Sequence, residues 1–457
     1  MIELIAGAVE DRSARGIAAA LGRLVSTGSL PAGARLPTVR DVARSLGVSP
    51  TTVSEAWHSL ARAGAIRTRG RSGTFVADRP ARPVGHRFAQ LGAAAVGAHD
   101  LSTGVPDHDL LPDLTDALKR LGDGRLTAGY LDAPVLPALE EVLRSRWPFR
   151  PDRMTVVDGA LDALDRVIDA VVHFGDHVIV ENPAFPPLLD LLQTVGATVL
   201  GVPMDAGGML PDELRRVLTG HPAVAVFLQP RAHNPTGSSL TSERAAGLAA
   251  VLGDFPTVTV VEDDHAGDIA TAAPVSLGAF LPARTVHVAG FAKSHGPDLR
   301  LAAIGGPASV ISAVADRRHL GPGWSSRLLQ AVLLDLLTDP IAVGQVAEAR
   351  DVYAARRAAL LTGLRERGVT ASAADGINLW MAVDDQQIAM VSLAARGIAV
   401  APGAPFCVTP LPADHVRVTA GLVAEGVDAL ADALAAAAIL DSRGSGTRAR
   451  PHPRGWR

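Results

Sequence analysis

Lys293 stands in "TVHVAGFAKSHGPDLRLA", just past an apolar strand-like run, in a chain whose 43 basic residues include only two lysines. The other 41 are arginine, so an amine here is a chemical choice: an amine condenses with a carbonyl to an imine, which a guanidinium does not usefully do. Other apolar runs also end on polar residues of specific type. "AVAVFL" (223–228) leads into "QPRAHNPTG", with Asn234 in a turn-rich loop, and "TVTVV" leads into "EDDHAGD", with Asp263. Arg300 follows Lys293 by seven residues. Upstream, "VVDGALDALDRVIDAVV" opens a helix at Gly159-Ala160, with Leu161, Leu164, Ile168, Val171 and Val172 as its apolar stripe. The free backbone N–H groups at such a helix start make an anion site.

An amine, a carboxylate, an amide, an arginine and an anion-binding helix end form the set that pyridoxal phosphate requires. The carboxylate keeps the ring nitrogen protonated, so that the ring acts as an electron sink. The amide donates to the phenolic oxygen, while the arginine and the helix start hold the phosphate. Taken singly, a lysine after a strand is a surface charge, an Asp-Asp pair a solvated turn, and "HNPTG" a good turn. Their order after successive strands is what joins them.

The elements that must position these residues are legible as patterns. From about residue 100, amphipathic helical stretches alternate with short β-branched runs such as "HVIVE" (177–181) and "TVTVVE" (257–262). That alternation predicts an α/β body with a mainly parallel sheet covered on both faces, whose ligands bind outside the carboxyl ends of the strands. The composition, 48% hydrophobic and 20% charged over 457 residues, is that of a globular chain with ample core. No apolar run reaches the roughly 18 residues of a membrane-spanning helix, and the N-terminus lacks the order of a signal peptide. The single cysteine, Cys407, excludes an internal disulfide and fits a reducing compartment, so the expected location is cytoplasmic.

The net charge of −4 is unevenly spread. Residues 1–80 carry eleven arginines against six acids, and the last seventeen residues five arginines against one acid, so the body is acidic. A basic head suggests that the head meets a polyanion. Its pattern reads helix, helix, helix, then hairpin. Ile17, Ala20, Leu21 and Leu24 repeat at helical spacing, Val39, Val42, Ala43 and Leu46 share one face, and Val53, Ala56, Trp57 and Leu60 form a third stripe. Ser49 caps the third helix, with Pro50 at its first position. Two helices joined by a short Gly-containing turn are a helix-turn-helix, with the second entering the major groove. Thr51, Thr52, Ser54 and His58 can then reach bases or phosphates, and Arg67, Arg69 and Arg71 can follow the backbone along a wing.

"GSLPAGARLPTVRDVARSLGVSPTTV" followed by "LARAGAIRTRGRSGTFV" resembles the GntR-type winged helix, and the body, through "AHNPTG", "VVEDDHAGD" and "FAKSHGPDLRLA", resembles the type I fold of aspartate-aminotransferase-like enzymes. Together the two halves resemble the MocR-type transcriptional regulators. The resemblance implies a winged helix-turn-helix domain over 1–78, a linker over 79–99, a pyridoxal-phosphate-binding body over 100–440 with a smaller α+β C-terminal part, and a basic tail over 441–457. It implies that Lys293 forms the internal aldimine, Asp263 pairs with the ring nitrogen and Asn234 reaches the phenolic oxygen. Arg300 and the backbone of Gly159, Ala160 and Leu161 would hold the phosphate, Phe185 would stack on the ring, and Tyr130 would reach the phosphate of a partner subunit. Arg417 matches the arginine that binds a substrate or effector carboxylate. In the head, Arg35, Arg40, Ser49, Thr51, Thr52 and Gly73 occupy DNA-contact positions. The chain departs from the pattern at Pro50, often arginine, at His265, usually tyrosine, and at Gly290 and Ala292, which replace hydroxyl residues. Beside a phenolate, the His265 imidazole is expected to favour its charged form.

Two functions use the same residues. One is a regulator of double-stranded operator DNA that senses pyridoxal phosphate, an amine or an amino acid, as a homodimer. The other is a working aminotransferase with a fused head, in which Lys293 carries protons.

Overall fold

The computed structural model describes residues 1–26, 29–62, 65–68, 73–77, 86–92, 99–122, 129 and 132–439. Arg69, Arg71, Tyr130 and the 441–457 tail lie outside the described residues, as do parts of the expected linker.

The head has the expected three helices, Ala14–Ser26, Val39–Leu46 and Pro50–Arg62, and the hairpin Ile66–Thr68 with Thr74–Val76. Their apolar stripes meet in one core, where Ile17, Leu21, Val42, Leu46, Val53, Trp57 and Leu60 are buried. Thr38 caps the second helix by accepting from Asp41 N at 3.2 Å, and the left-handed Gly47 ends it. Ser49 accepts from Thr52 N at 3.1 Å at the start of the third. An additional helix, Ile2–Ala8, was not anticipated by the sequence reading; seven residues long, it buries little more than Ile5 against the same core.

Within the expected 79–99 linker, His86–Ala89 is a short helix held on the body. Asp190 accepts from the N–H groups of Arg87 and Phe88, and the Arg87 guanidinium donates to the carbonyls of Pro405 and Cys407. Leu91 is buried against Trp380 and Phe406.

The body is built on an eight-stranded sheet in the order Arg153–Val157, Ala302–Gly306, Thr285–Gly290, Thr259–Asp264, Ala223–Leu228, His177–Asn182, Thr198–Asp205, Gly208–Met209. The five strands from Thr285–Gly290 to Thr198–Asp205 are mutually parallel, while Ala302–Gly306 runs antiparallel to both its neighbours. Val178, Ile179, Val180, Val226, Phe227, Val260 and Val261 are all buried, as strands covered on both faces require. The helix Ala160–Val171 packs through Ala163, Leu164, Val167 and Ile168. Leu161, placed on the stripe from the sequence, is 39% exposed: it lies at the stripe's edge in the first turn, before neighbours close over the helix.

The smaller C-terminal part is an antiparallel sheet, Ala371–Ser372, Leu379–Val383, Asp414–Val418, Ala401–Pro402, packed against the helices Pro340–Glu366, Gln386–Ala394 and Val427–Ala438. Residues His99–Asp100, where the linker enters the body, pair in parallel with Ile398–Ala399. No single described helix is long and apolar enough to cross a membrane.

Candidate functional site

The parallel strands point their carboxyl ends to one side, and the chemistry-bearing residues follow them there. Lys293 lies in a turn three residues past Thr285–Gly290, and its Nζ donates to the Gly104 carbonyl. Burial, reinforced by Arg417 and opposed by Asp263, lowers its pKa to about 8. A lysine so placed holds much more neutral, nucleophilic amine near neutral pH than an ordinary one.

Asp263 sits near the end of the neighbouring strand, Thr259–Asp264, and is buried. Gln229 Nε2 donates to its Oδ2 at 2.7 Å. The other oxygen, Oδ1, is buried with no partner among the described residues. Burial pushes this carboxyl up, with His265 and Gln229 opposing. A buried oxygen left without a donor is destabilising by about 1–3 kcal/mol or more, and a protonated ring nitrogen would satisfy it.

His265, two residues on, has a buried Nδ1 with no partner among the described residues. Burial lowers its pKa; Asp263 opposes that and Lys293 adds to it. In the ligand-free chain the neutral imidazole is therefore favoured, whereas the charged form is the one expected beside a phenolate. A ring taken out of water beside an amine is favoured as the neutral form.

Asn234 lies in the loop after Ala223–Leu228. Its N–H donates to Gln229 Oε1 at 2.8 Å, and its Oδ1 accepts from Arg417 Nη1 at 3.2 Å and from Asn378 Nδ2 at 3.4 Å. Arg417 comes from the C-terminal sheet and is only 1% exposed. Its Nη2 donates to the Ser102 carbonyl, its Nε has no partner among the described residues, and its guanidinium lies 5.2 Å from the Phe406 ring centroid. Burial lowers its pKa to about 10, with Asp100 opposing. A buried guanidinium with an unused donor is suited to a carboxylate. Phe185 begins the helix Pro186–Thr194 and lines a narrow cavity together with Asp263, Gln229 and His233.

Arg153–Val157 passes into Ala160–Val171 at the helix start expected from the sequence to hold the phosphate. Gly159 has φ +104°, and a Cβ there would stand 3.3 Å from Arg300 Nη2, so both backbone and close approach require glycine. Arg300 donates to the Asp158 carbonyl at 3.3 Å. The side chains of Gly159, Ala160, Gly290 and Ala292 bring no hydroxyl to this place.

The structure thus gathers Lys293, Asp263, His265, Asn234, Phe185 and Arg417 at one end of the sheet, with Arg300 packed against the Gly159-Ala160 helix start. Sequence reasoning missed Gln229, Asn378 and Glu181. The buried Glu181 accepts from Gln229 N at 2.8 Å, lies 3.3 Å from His233 Nε2, and is pushed up to about 8 by burial. Its place at the end of "HVIVE" was the available signal.

In the head, Arg35, Arg40, Ser49 and Thr51 are exposed and Thr52 is half-buried. Gly73 has φ +105°, and its Cβ position is 3.0 Å from Arg35 Nε. These residues surround the start of Pro50–Arg62 and the adjoining wing, a basic, polar face of the kind that meets a DNA backbone.

Comparison with known proteins agrees with this division. The family described as aminotransferase class I and II matches residues 98–434, and that described as bacterial regulatory proteins, gntR family, matches residues 13–76. The chain is 34% identical over 416 residues to the vitamin B6 salvage pathway transcriptional repressor PtsJ of Salmonella typhimurium, covering 90% of this chain and 95% of that one. It is 26% identical to the probable rhizopine catabolism regulatory protein MocR of Rhizobium meliloti, covering 81% of this chain and 79% of that one. Among solved structures, the aspartate aminotransferase of Thermus thermophilus with maleate superposes with a TM-score of 0.66 at 26% identity, covering 75% of this chain and 92% of that one.

Proposed function

The chain belongs to the MocR-type transcriptional regulators, in which a GntR head is joined to an aminotransferase class I and II body, and from that premise we propose that it binds operator DNA and adjusts that binding to pyridoxal phosphate or to an amine or amino acid that reacts with it. The observation that carries this reading is the unpartnered Asp263 Oδ1, buried at the foot of a site that also holds an amine of lowered pKa. That oxygen asks for a ring N–H donor. The PtsJ relative is described as a vitamin B6 salvage pathway repressor, which agrees with a pyridoxal vitamer as the signal.

Pyridoxal phosphate, when bound, supplies an aldehyde for an amine and a ring that draws electrons from it. This chain's residues do the rest. Lys293 offers the amine and can hold or pass on a proton at Nζ. Asp263 keeps the proton on the ring nitrogen, and Gln229 fixes the carboxylate's plane. Asn234 orients the phenolic oxygen, Arg300 and the helix start hold the phosphate, and Arg417 receives the carboxylate of an amino-acid ligand.

A ligand changes DNA affinity only if it binds two arrangements of head and body unequally. One physical connection supports such coupling. The helix Ala160–Val171 starts at the anion cradle, and Phe174, in the turn after its other end, packs against the head core beside Gly22. Two chains acting as a homodimer in the cytoplasm would present two heads to paired half-sites.

A working aminotransferase is the second reading, favoured by the lowered pKa of Lys293, which suits proton transfer. The visible absorption of the purified full-length protein with pyridoxal phosphate, beside Lys293→Ala, tests the shared premise. A band in the wild type that disappears in the variant supports it, and no band in either removes it. Multiple turnovers of an amino donor would favour the enzyme over the regulator.

A further inference from the structure

We propose that Asp158 is a specificity-determining residue of the anion cradle, making the site only weakly selective for the phosphorylated vitamer over the same ring without phosphate. The inference rests on the reading of the body as a pyridoxal phosphate site.

Among the described residues the cradle's attractive elements are few. They are the backbone N–H groups at the start of Ala160–Val171, which has no side-chain cap, and the Arg300 guanidinium packed over Gly159. Ser294, the nearest hydroxyl along the lysine turn, is engaged with His295 Nδ1 at 2.8 Å and directed at the Phe291 carbonyl. Anion sites of this type gain much of their strength from charge-assisted hydrogen bonds, and the side chains at 159, 160, 290 and 292 supply none.

Carboxylates, by contrast, are already present. Asp158 immediately precedes the cradle, and its side chain is 45% exposed. Ser325 Oγ donates to its Oδ1 at 2.6 Å and Arg318 Nη1 to its Oδ2 at 3.1 Å. Burial alone would raise its pKa, but Ser325 and Arg318 outweigh that and hold it below the usual carboxylate range. Asp162, in the first helical turn, takes the Asp158 N–H at 3.1 Å, so a second carboxylate lies at the helix start. Asp162 also pairs with Arg318 and Arg166. The buried Arg318 and the positive end of the helix are therefore largely neutralised from within the chain. Arg300, hydrogen-bonded to a carbonyl rather than to a carboxylate, remains to meet an incoming anion.

A phosphate monoester carries nearly two negative charges at neutral pH. Seated on this helix start it meets an ionised carboxylate at its edge, whereas pyridoxal, which lacks the phosphate, meets none of that repulsion. The ring contacts at Asp263, Asn234 and Lys293 are the same for both. Weak selectivity has a functional consequence: pyridoxal and pyridoxal phosphate would both occupy the site.

The test is the ratio of dissociation constants, pyridoxal over pyridoxal phosphate, for the full-length protein at one pH, read by absorbance titration. Contributions of the lysine and the ring cancel in that ratio. Asp158→Asn keeps groups able to bond Ser325, and Asp158→Ser serves as a second variant should the first fold poorly. The ratio is expected to rise roughly tenfold in either, the scale of one nearby charge removed at a protein edge, with the pyridoxal constant changing much less. Arg300→Met should lower the ratio, confirming that it reports on the cradle. An unchanged or lower ratio in the Asp158 variants overturns the inference. If neither vitamer binds the wild type, the cofactor reading falls, and the inference falls with it.

Discussion

Gln229 donates from Nε2 to Asp263 Oδ2 at 2.7 Å, and the same side chain accepts the Asn234 N–H on its Oε1 at 2.8 Å. One buried amide thus fixes both the carboxylate proposed for the ring nitrogen and the loop carrying the amide proposed for the phenolic oxygen. Gln229→Leu removes both bonds at similar volume. Hydrogen bonds to charged groups contribute about 1.5–3 kcal/mol, so pyridoxal phosphate affinity should fall roughly tenfold or more, while pyridoxal falls in parallel because the phosphate is not involved. Titration of both vitamers checks this, and a loss confined to the phosphorylated one would contradict it.

The lowered pKa of Lys293 gives a pH dependence with a definite sign. Only the neutral amine attacks an aldehyde. The rate at which ligand-free protein captures pyridoxal phosphate should therefore rise with pH, reach half its maximum near pH 8 and level off above it, well below the ordinary lysine range. Arg417 is one of the causes of that shift, so Arg417→Gln should move the plateau to higher pH. Stopped-flow absorbance measures it; a rate that climbs without a plateau past pH 9 would refute the assignment.

These chemical residues were legible in the sequence because each sits next to a strand of recognisable pattern, where the fold must deliver it to one edge. The rest was not, for a physical reason. Arg417 and Asn234 are 183 positions apart and meet only when the C-terminal sheet packs against the loop after Ala223–Leu228. Gln229 and Asn378 are common amides whose role comes from what they face. The burial that lowers the His265 pKa was not legible either, because spacing says nothing about burial. Leu161 was misplaced because periodicity does not show where neighbouring elements stop covering a helix.

Glu181 offers a stability test free of any ligand. Burial raises its folded-state pKa to about 8 from the ordinary 4.5 of a glutamate in water. Between those values the folded state holds a proton that the unfolded state has released. Its contribution to stability is therefore fully present below about pH 4.5 and is lost as pH rises towards 8. Glu181→Gln removes this dependence. Denaturation midpoints of the ligand-free proteins from pH 5 to 8 should fall more steeply for the wild type than for the variant. Parallel curves would show that Glu181 ionises normally.

Phe174 packs against the head core beside Gly22 and also against Gly196 of the body. Phe174→Ala should leave pyridoxal phosphate binding within about twofold of wild type, since Phe174 lies at the far end of the helix from the cradle, yet reduce the effect of the ligand on DNA binding. Coupling free energies of 1–3 kcal/mol are typical of such systems, and loss of one packing contact should remove a substantial part. Undiminished coupling in the variant would show that the signal travels elsewhere.

The central claim is that one chain joins this cofactor site to operator recognition. The most direct measurement is the affinity of full-length protein for a DNA fragment selected from a random pool, with and without saturating pyridoxal phosphate, for wild type and Lys293→Ala. The ligand should change the wild-type dissociation constant roughly five- to hundredfold, and the change should largely disappear in the variant. An equal affinity with and without ligand in the wild type, at demonstrated saturation, would contradict it.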